Sequence, residues 1–162
     1  MITTVIIGKS LADIMWPEFI VVKGCVFLKS QWSGDARHVD LEHPVQQESD
    51  ANHTHILDYF KHRAGTDRKP FFKTKHPDFL LACELGKTIC HMWASKLAMD
   101  FPRWDFRVYY HGLDPVVRFH RIRKGMRNWL DPADRNEEVQ AGSILILDTR
   151  RLRKKLFPGR MS

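Results

Sequence analysis

The stretch FRVYYHGLDPVVRFHRIR, residues 106–123, decides the fold of this chain. Two runs rich in aromatic and β-branched residues flank Gly112, Leu113, Asp114 and Pro115, the pattern of a β-hairpin. Pro115 has no N–H to donate, so it belongs at the start of the return strand. A two- or four-residue loop pairs His111 with Val116, Tyr109 with Arg118 and Arg107 with His120. One face then carries Phe106, Val108, Tyr110, Val117 and Phe119, an unbroken core face. A three-residue loop would set Phe119 beside Arg107 and Tyr109 and mix the faces. A one-residue slip exchanges every side chain between faces, so the buried pattern selects the first register.

The second face carries Arg107, Tyr109, His111, Arg118 and His120. Arg107 opposes His120, with Arg118 one step away. Opposed like charges destabilise a sheet by a few tenths to about 1 kcal/mol. They are tolerated if the face is solvated, or if an anion lies among them. Asp105, Glu84 or Asp148 could supply that anion internally. A ligand could also supply it: a carboxylate or phosphate held by Arg107 and Arg118, with Tyr109 donating a hydrogen bond. In that reading Arg107 and Arg118 are the ligand-binding residues. His120, Tyr109 and His111 are the candidate catalytic groups, able to orient the ligand or move protons.

Working outward, PDFLLACELGKTICHMWASKLAMD (77–100) reads as a long helix. Pro77 suits the first helical position and Pro102 stops the run. Phe79, Cys83, Gly86, Cys90, Trp93 and Leu97 recur at helical steps, and Leu81, Ala82, Leu85, Ile89 and Met92 extend the apolar surface. Only Glu84, Lys87, Thr88, His91 and Ser95 form a polar stripe, so the helix is expected to be packed over most of its circumference. Glu84 and His91 on that stripe read as its wet side before they read as an acid–base pair. Cys83 and Cys90 read as buried apolar residues rather than nucleophiles.

Upstream, EFIVVKGCVFLKSQW (18–32) is a strand, or two strands with a bulge at Gly24. TTVIIG (3–8) is a candidate extra strand, and the polar residues 33–50 read as loop. Ser49 or Asp50 could cap a helix that stops at Gly65. Downstream, a short helix is predicted after Pro132, closing before Gly142, and SILILDTR (143–150) is a strand. The fold class is therefore α+β: an antiparallel sheet with one long, mostly buried helix on a face. Setting the first helix aside, the element order matches a ferredoxin-like sandwich. Residues 1–149 form a single domain on this reading, and 150–162 form a basic tail.

Charge sits unevenly. The chain of 162 residues has a net charge of +7, and Arg150, Arg151, Arg153, Lys154, Lys155 and Arg160 lie in the tail without an acid among them. The body is thus nearly neutral, which weakens a broad nucleic-acid surface. Three cysteines without a CxxC argue against a disulfide framework or a zinc ribbon. A cytoplasmic protein is expected, because no stretch approaches a membrane span and the N-terminus lacks a basic leader region. There is no GxSxG, HExxH, P-loop or GxGxxG, so the nucleotide-fold and standard hydrolase readings lose support.

The histidines cluster between residues 38 and 76. If 51–56 were extended, His53 and His55 would point the same way, as a metal-binding HxH pair does, with His91, Glu84, His111 or His120 as a third ligand for a divalent metal. The predicted helix would instead make them diverge and align His55 with His62.

Three functions follow. The first is binding of an acidic small molecule on the polar hairpin face, with His53 and His55 closing the site. The second is nucleic-acid binding through RFHRIRKGMR and the tail, without the consensus of an RRM. The third is a protein-interaction role for the tail, whose Leu152, Leu156 and Phe157 could form an amphipathic helix on a partner. A second copy of the chain is a further candidate partner.

Overall fold

The computed structural model describes residues 9–60 and 74–156. The candidate strand at 3–8, Gly65 as a helix stop, and His62 lie outside the described residues. Helix α1 (Lys9–Met15) leads into a hairpin of β1 (Phe19–Val22) and β2 (Cys25–Leu28). Lys23 at φ 49 and Gly24 at φ 78 are both left-handed. That is the two-residue turn whose twist matches paired strands, so the glycine makes a turn rather than a bulge. The hairpin forms a sheet of its own.

Residues 33–50, expected to be loop, hold a helix, α2 (Pro44–Ala51), with proline at its start. Its buried residues are Pro44, Val45, Glu48 and Ser49, so it shows no apolar period. The helix predicted from Ser49 or Asp50 is not formed. The chain leaves α2 at Asn52, and His53–His55 become strand β3, followed by a 3-10 turn at Ile56–Tyr59. Tertiary pairing decides this. β3 lies antiparallel to β5, with His53 opposite Arg118, Thr54 opposite Val117 and His55 opposite Val116.

α3 (Pro77–Asp100) has the predicted limits. The His76 side chain accepts from the Asp78 N–H at 3.2 Å and caps its first turn. It buries Phe79, Ala82, Gly86, Ile89, Cys90, Trp93, Ala94, Leu97 and Ala98. Leu80, Leu81 and Met99 are exposed, but Cys83 and Leu85 also pack against the core, so the long helix is mostly buried, as expected. Its buried face covers the sheet residues Phe106, Val108, Tyr110, Val117 and Phe119, all buried in the same core.

β4 (Phe106–His111) and β5 (Val116–Arg121) pair in the register read from the sequence: Arg107 with His120, Tyr109 with Arg118, His111 with Val116. A 3-10 turn at Pro132–Arg135 and the short α4 (Asn136–Gln140) lead to β6 (Ile144–Asp148), which pairs with β4. The sheet order is β3-β5-β4-β6, antiparallel throughout. The fold is α+β, with the long helix on one face of an antiparallel sheet. β6 joins the β4 edge, whereas a ferredoxin-like sandwich would set its last strand beside the first. The ferredoxin-like order is therefore not formed.

The chain then turns directly into α5 (Thr149–Leu156). The basic segment is not wholly solvated. Leu152 packs against the main core, and Arg153 bonds the Trp104 carbonyl and the Asp105 carboxylate. Among the described residues no helix is long and apolar enough to cross a membrane.

Candidate functional site

Cross-strand partners point to the same side of a sheet, so the register places the candidate residues. His53, Arg118, Tyr109 and Ile146 form one row across β3, β5, β4 and β6. His55, Val116, His111 and Ile144 form the next row towards the hairpin tip, and His120, Arg107 and Asp148 the row on the other side. All seven predicted site residues thus share the face opposite α3. His53 and His55 reach it from an edge strand, not from a helix.

The middle of the face, at Tyr109 and His120, is covered, whereas His53, His55, His111 and Asp114 keep part of their surface exposed. The connection from β5 to β6 folds over the covered middle. Tyr109 is 1% exposed and His120 0%. The Tyr109 hydroxyl lies 2.8 Å from His120 Nε2, and the Trp129 N–H approaches the same nitrogen at 3.4 Å. His120 Nδ1 is 3.0 Å from the Arg121 carbonyl. A carbonyl only accepts, so Nδ1 carries the proton and Nε2 accepts from Tyr109 and Trp129. Burial pulls the His120 pKa down to about 4 and pushes Tyr109 up to about 12. Both are neutral near pH 7 and present no surface to solvent. Their geometry is that of a clasp fastening the connection to the sheet. A substrate could reach them for acid–base work only if Trp129 were displaced.

The two arginines differ. Arg107 has Asp148 at 3.6 Å, and Asp148 is its cross-strand partner. One of the three internal anions considered from sequence is thus engaged here. Glu84 pairs with Lys87 on α3, and Asp105 with Arg150 and Arg153. Arg118 has no ion pair among the described residues. Its guanidinium lies over the Trp129 ring, 4.1 Å from the centroid. Its Nε is buried with no hydrogen-bond partner, as is that of Arg107. Burial lowers the pKa of Arg118, while Asp50 and Asp114 oppose that shift. The more exposed end of the face holds His53, His55, His111 and Asp114. Burial, then Arg135 and Arg118, hold His111 below the ordinary imidazole value.

His53 and His55 lie with ring centroids 5.2 Å apart, edge to face. The extended backbone sets them side by side, as an HxH pair requires. Each Nδ1 is already engaged: His53 with the Asp50 carbonyl at 2.6 Å, His55 with Asp114 at 3.2 Å. His120 is spoken for by the clasp, and Glu84 and His91 are on α3, across the sheet. Among the described residues no group of three or more His, Cys, Asp or Glu could hold a metal ion.

Two features were missed from the sequence. Trp129 organises the face from within a connection that otherwise reads as polar loop; a tryptophan there was the one hint of packing. Glu48, fully buried, accepts from the Val26 N–H at 2.8 Å, from the Arg121 N–H at 2.9 Å and from both terminal nitrogens of Arg123. Asn52 accepts from the Leu28 N–H and donates to the Val26 carbonyl. These two side chains, one in α2 and one at its C-terminal cap, join the edge of the β1–β2 hairpin to the larger sheet and satisfy backbone groups that would otherwise be buried unpaired.

A small cavity of about 160 Å³ lies elsewhere, between α1, β2 and α3, lined by Ile14, Leu28, Gln31, Thr54, Tyr59 and Trp93. None of the predicted site residues reaches it. No curated protein and no solved structure shows significant similarity to the chain. A family model described as "Uncharacterized protein PM0498 family" matches residues 1–156, nearly the whole length, and the chain belongs to that family.

Proposed function

We propose that this protein binds a small anionic molecule, carboxylate- or phosphate-bearing, at the open margin of the polar sheet face, with Arg118 as the anchoring residue. The observation that carries this reading is the state of Arg118. It is a partly buried cation stacked on Trp129, with a buried Nε lacking a partner and no ion pair among the described residues. A buried charge without a counter-ion is costly, and an anion supplied by a ligand would offset that cost. A guanidinium is a planar fork of N–H donors, which suits two-point contact with a carboxylate or phosphate.

His53 is the cross-strand neighbour of Arg118, and His55 follows on the same edge strand. Each Nδ1 is engaged, by the Asp50 carbonyl and by Asp114, so only a protonated imidazole could donate to a bound oxygen, through Nε2. His111 lies on the same face nearer the hairpin tip. Arg107, turned to Asp148, serves the sheet rather than the ligand. The neutral, enclosed Tyr109–His120 pair supports a binding role over turnover: it fixes Trp129, and Trp129 in turn holds Arg118.

Isothermal titration with inorganic phosphate and with succinate at low ionic strength tests the reading. Binding to the wild type and a loss of at least about tenfold in Arg118→Gln, with the fold retained, is the expected result. Losing the stack on Trp129 should remove only about 0.5–1 kcal/mol of stability. Equal binding by Arg118→Gln would sink the proposal. So would unfolding of the variant, which would make Arg118 a structural cation.

A further inference from the structure

A second charged surface lies at the other end of the sheet and is independent of Arg118. β4 begins, and β5 and β6 end, on this side, since Phe106 pairs with Arg121 and Arg107 with Asp148. Three neighbouring segments are fastened there. Arg121 lies over the Trp104 ring at 4.0 Å and donates to the Gly24 carbonyl at 3.0 Å, which brings in the corner before β4 and the β1–β2 turn. Arg153 bonds the Trp104 carbonyl at 2.9 Å, which brings in α5.

The acids at this end are consumed. Asp105 pairs with Arg150 and Arg153, Asp148 with Arg107, and the buried Glu48 with Arg123. Lys23, Arg103, Lys124, Arg151, Lys154 and Lys155 are exposed, and none has an ion pair among the described residues. On α5, Arg151, Lys154 and Lys155 stand at i, i+3 and i+4 and share one helix face. Leu152 is turned into the core instead.

We propose that this basic end binds the phosphate backbone of nucleic acid, without reading bases. Cations from four segments of chain, with their local acids neutralised, form a field suited to a polyanion. Two observations narrow the partner. An interfacial membrane helix needs a free apolar side, and the Leu152 of α5 is already packed against the protein's own core. Base stacking needs an open aromatic face. Trp104, the ring at this end, has Arg121 over it at 4.0 Å and Phe101 stacked at 5.5 Å with an interplanar angle of 3°. That leaves backbone phosphates, contacted by lysine and arginine heads, with little preference for sequence.

Fluorescence anisotropy of the full chain with short, labelled, random-sequence duplex and single-stranded DNA tests this between about 50 and about 200 mM salt. Affinity for the duplex should fall steeply with salt, with a log–log slope of about −3 or steeper. The triple variant Arg151→Gln/Lys154→Gln/Lys155→Gln should flatten the slope by up to about 3 and weaken binding at least about tenfold. Its thermal midpoint should stay put, because all three side chains are exposed. Lys87→Gln on α3 should bind as the wild type does, and so should Arg118→Gln, which separates this surface from the anion site. Salt-independent binding, no binding at the lowest salt, or a triple variant that binds normally would overturn the proposal. So would binding confined to phosphatidylserine vesicles, which would reassign the surface to a membrane.

Discussion

The enclosed imidazole of His120 makes a quantitative claim about acid stability. In the folded protein its pKa is lowered to about 4 from an ordinary 6.5. Between those values the unfolded chain binds a proton that the folded chain does not. Stability is therefore fully present above about pH 6.5 and is lost as the pH falls through the window towards 4. Linkage with these two values gives a loss of about 2 kcal/mol at pH 5 and about 3 kcal/mol at pH 4. Depressed carboxylates such as Asp35, Asp40 and Glu138 also weaken the fold in acid, but they act below their ordinary values of 3.8 to 4.5. The window from pH 6.5 to 5 thus belongs mainly to the histidines, with His111 adding in the same direction because its pKa is also lowered. Urea unfolding followed by far-UV circular dichroism at pH 7, 6 and 5 measures the slope, and His120→Gln tests its source. The variant should be weaker than wild type at pH 7 by about 1–3 kcal/mol, for the lost hydrogen bonds, yet lose less on acidification. A wild-type stability that is flat from pH 7 to 5, or a variant with the same pH slope, would refute the neutral clasp. It would mean that the connection carrying Trp129 opens readily, and Tyr109 and His120 would return as groups that a substrate can reach.

Two further changes probe how the site is held. Glu48→Ala removes the carboxylate that joins α2, β2 and Arg123, and should cost about 3–5 kcal/mol by chemical denaturation; a loss under 1 kcal/mol would show the ion pair to be replaceable by solvent. Gly86→Ala should destabilise despite a gain of about 1 kcal/mol in helix propensity. A Cβ there would stand 2.6 and 2.9 Å from ring atoms of the buried Tyr110. Overpacking of that kind costs about 1–3 kcal/mol, so a raised thermal midpoint would contradict the close approach of α3 to β4.

What could be read from the sequence was local and periodic. The alternation in residues 106–123 specifies the hairpin and its register, because only one pairing buries Val108, Tyr110, Val117 and Phe119 together. The limits of α3 follow from Pro77 and Pro102, and the α+β class from the order of elements. The set of residues on the polar face was legible for the same reason: alternation assigns side chains to faces.

Contacts distant in sequence decided the rest. Helix α2 and strand β3 were misread because their stabilising partners lie far along the chain. Glu48 and Asn52 are polar side chains buried by hydrogen bonds to β2, and Glu48 also bonds β5 and Arg123. No period marks such residues. His53–His55 has three residues, too few to declare a strand, and is extended only because β5 offers an edge. Whether the polar face was open or covered depended on Trp129 folding back over it. Arg107 and Arg118, equivalent in the sequence, became different when Asp148 arrived beside one and an indole beside the other. Alternation tells which side a residue faces; only packing tells what lies against that side, because burial and partners are properties of the assembled layers.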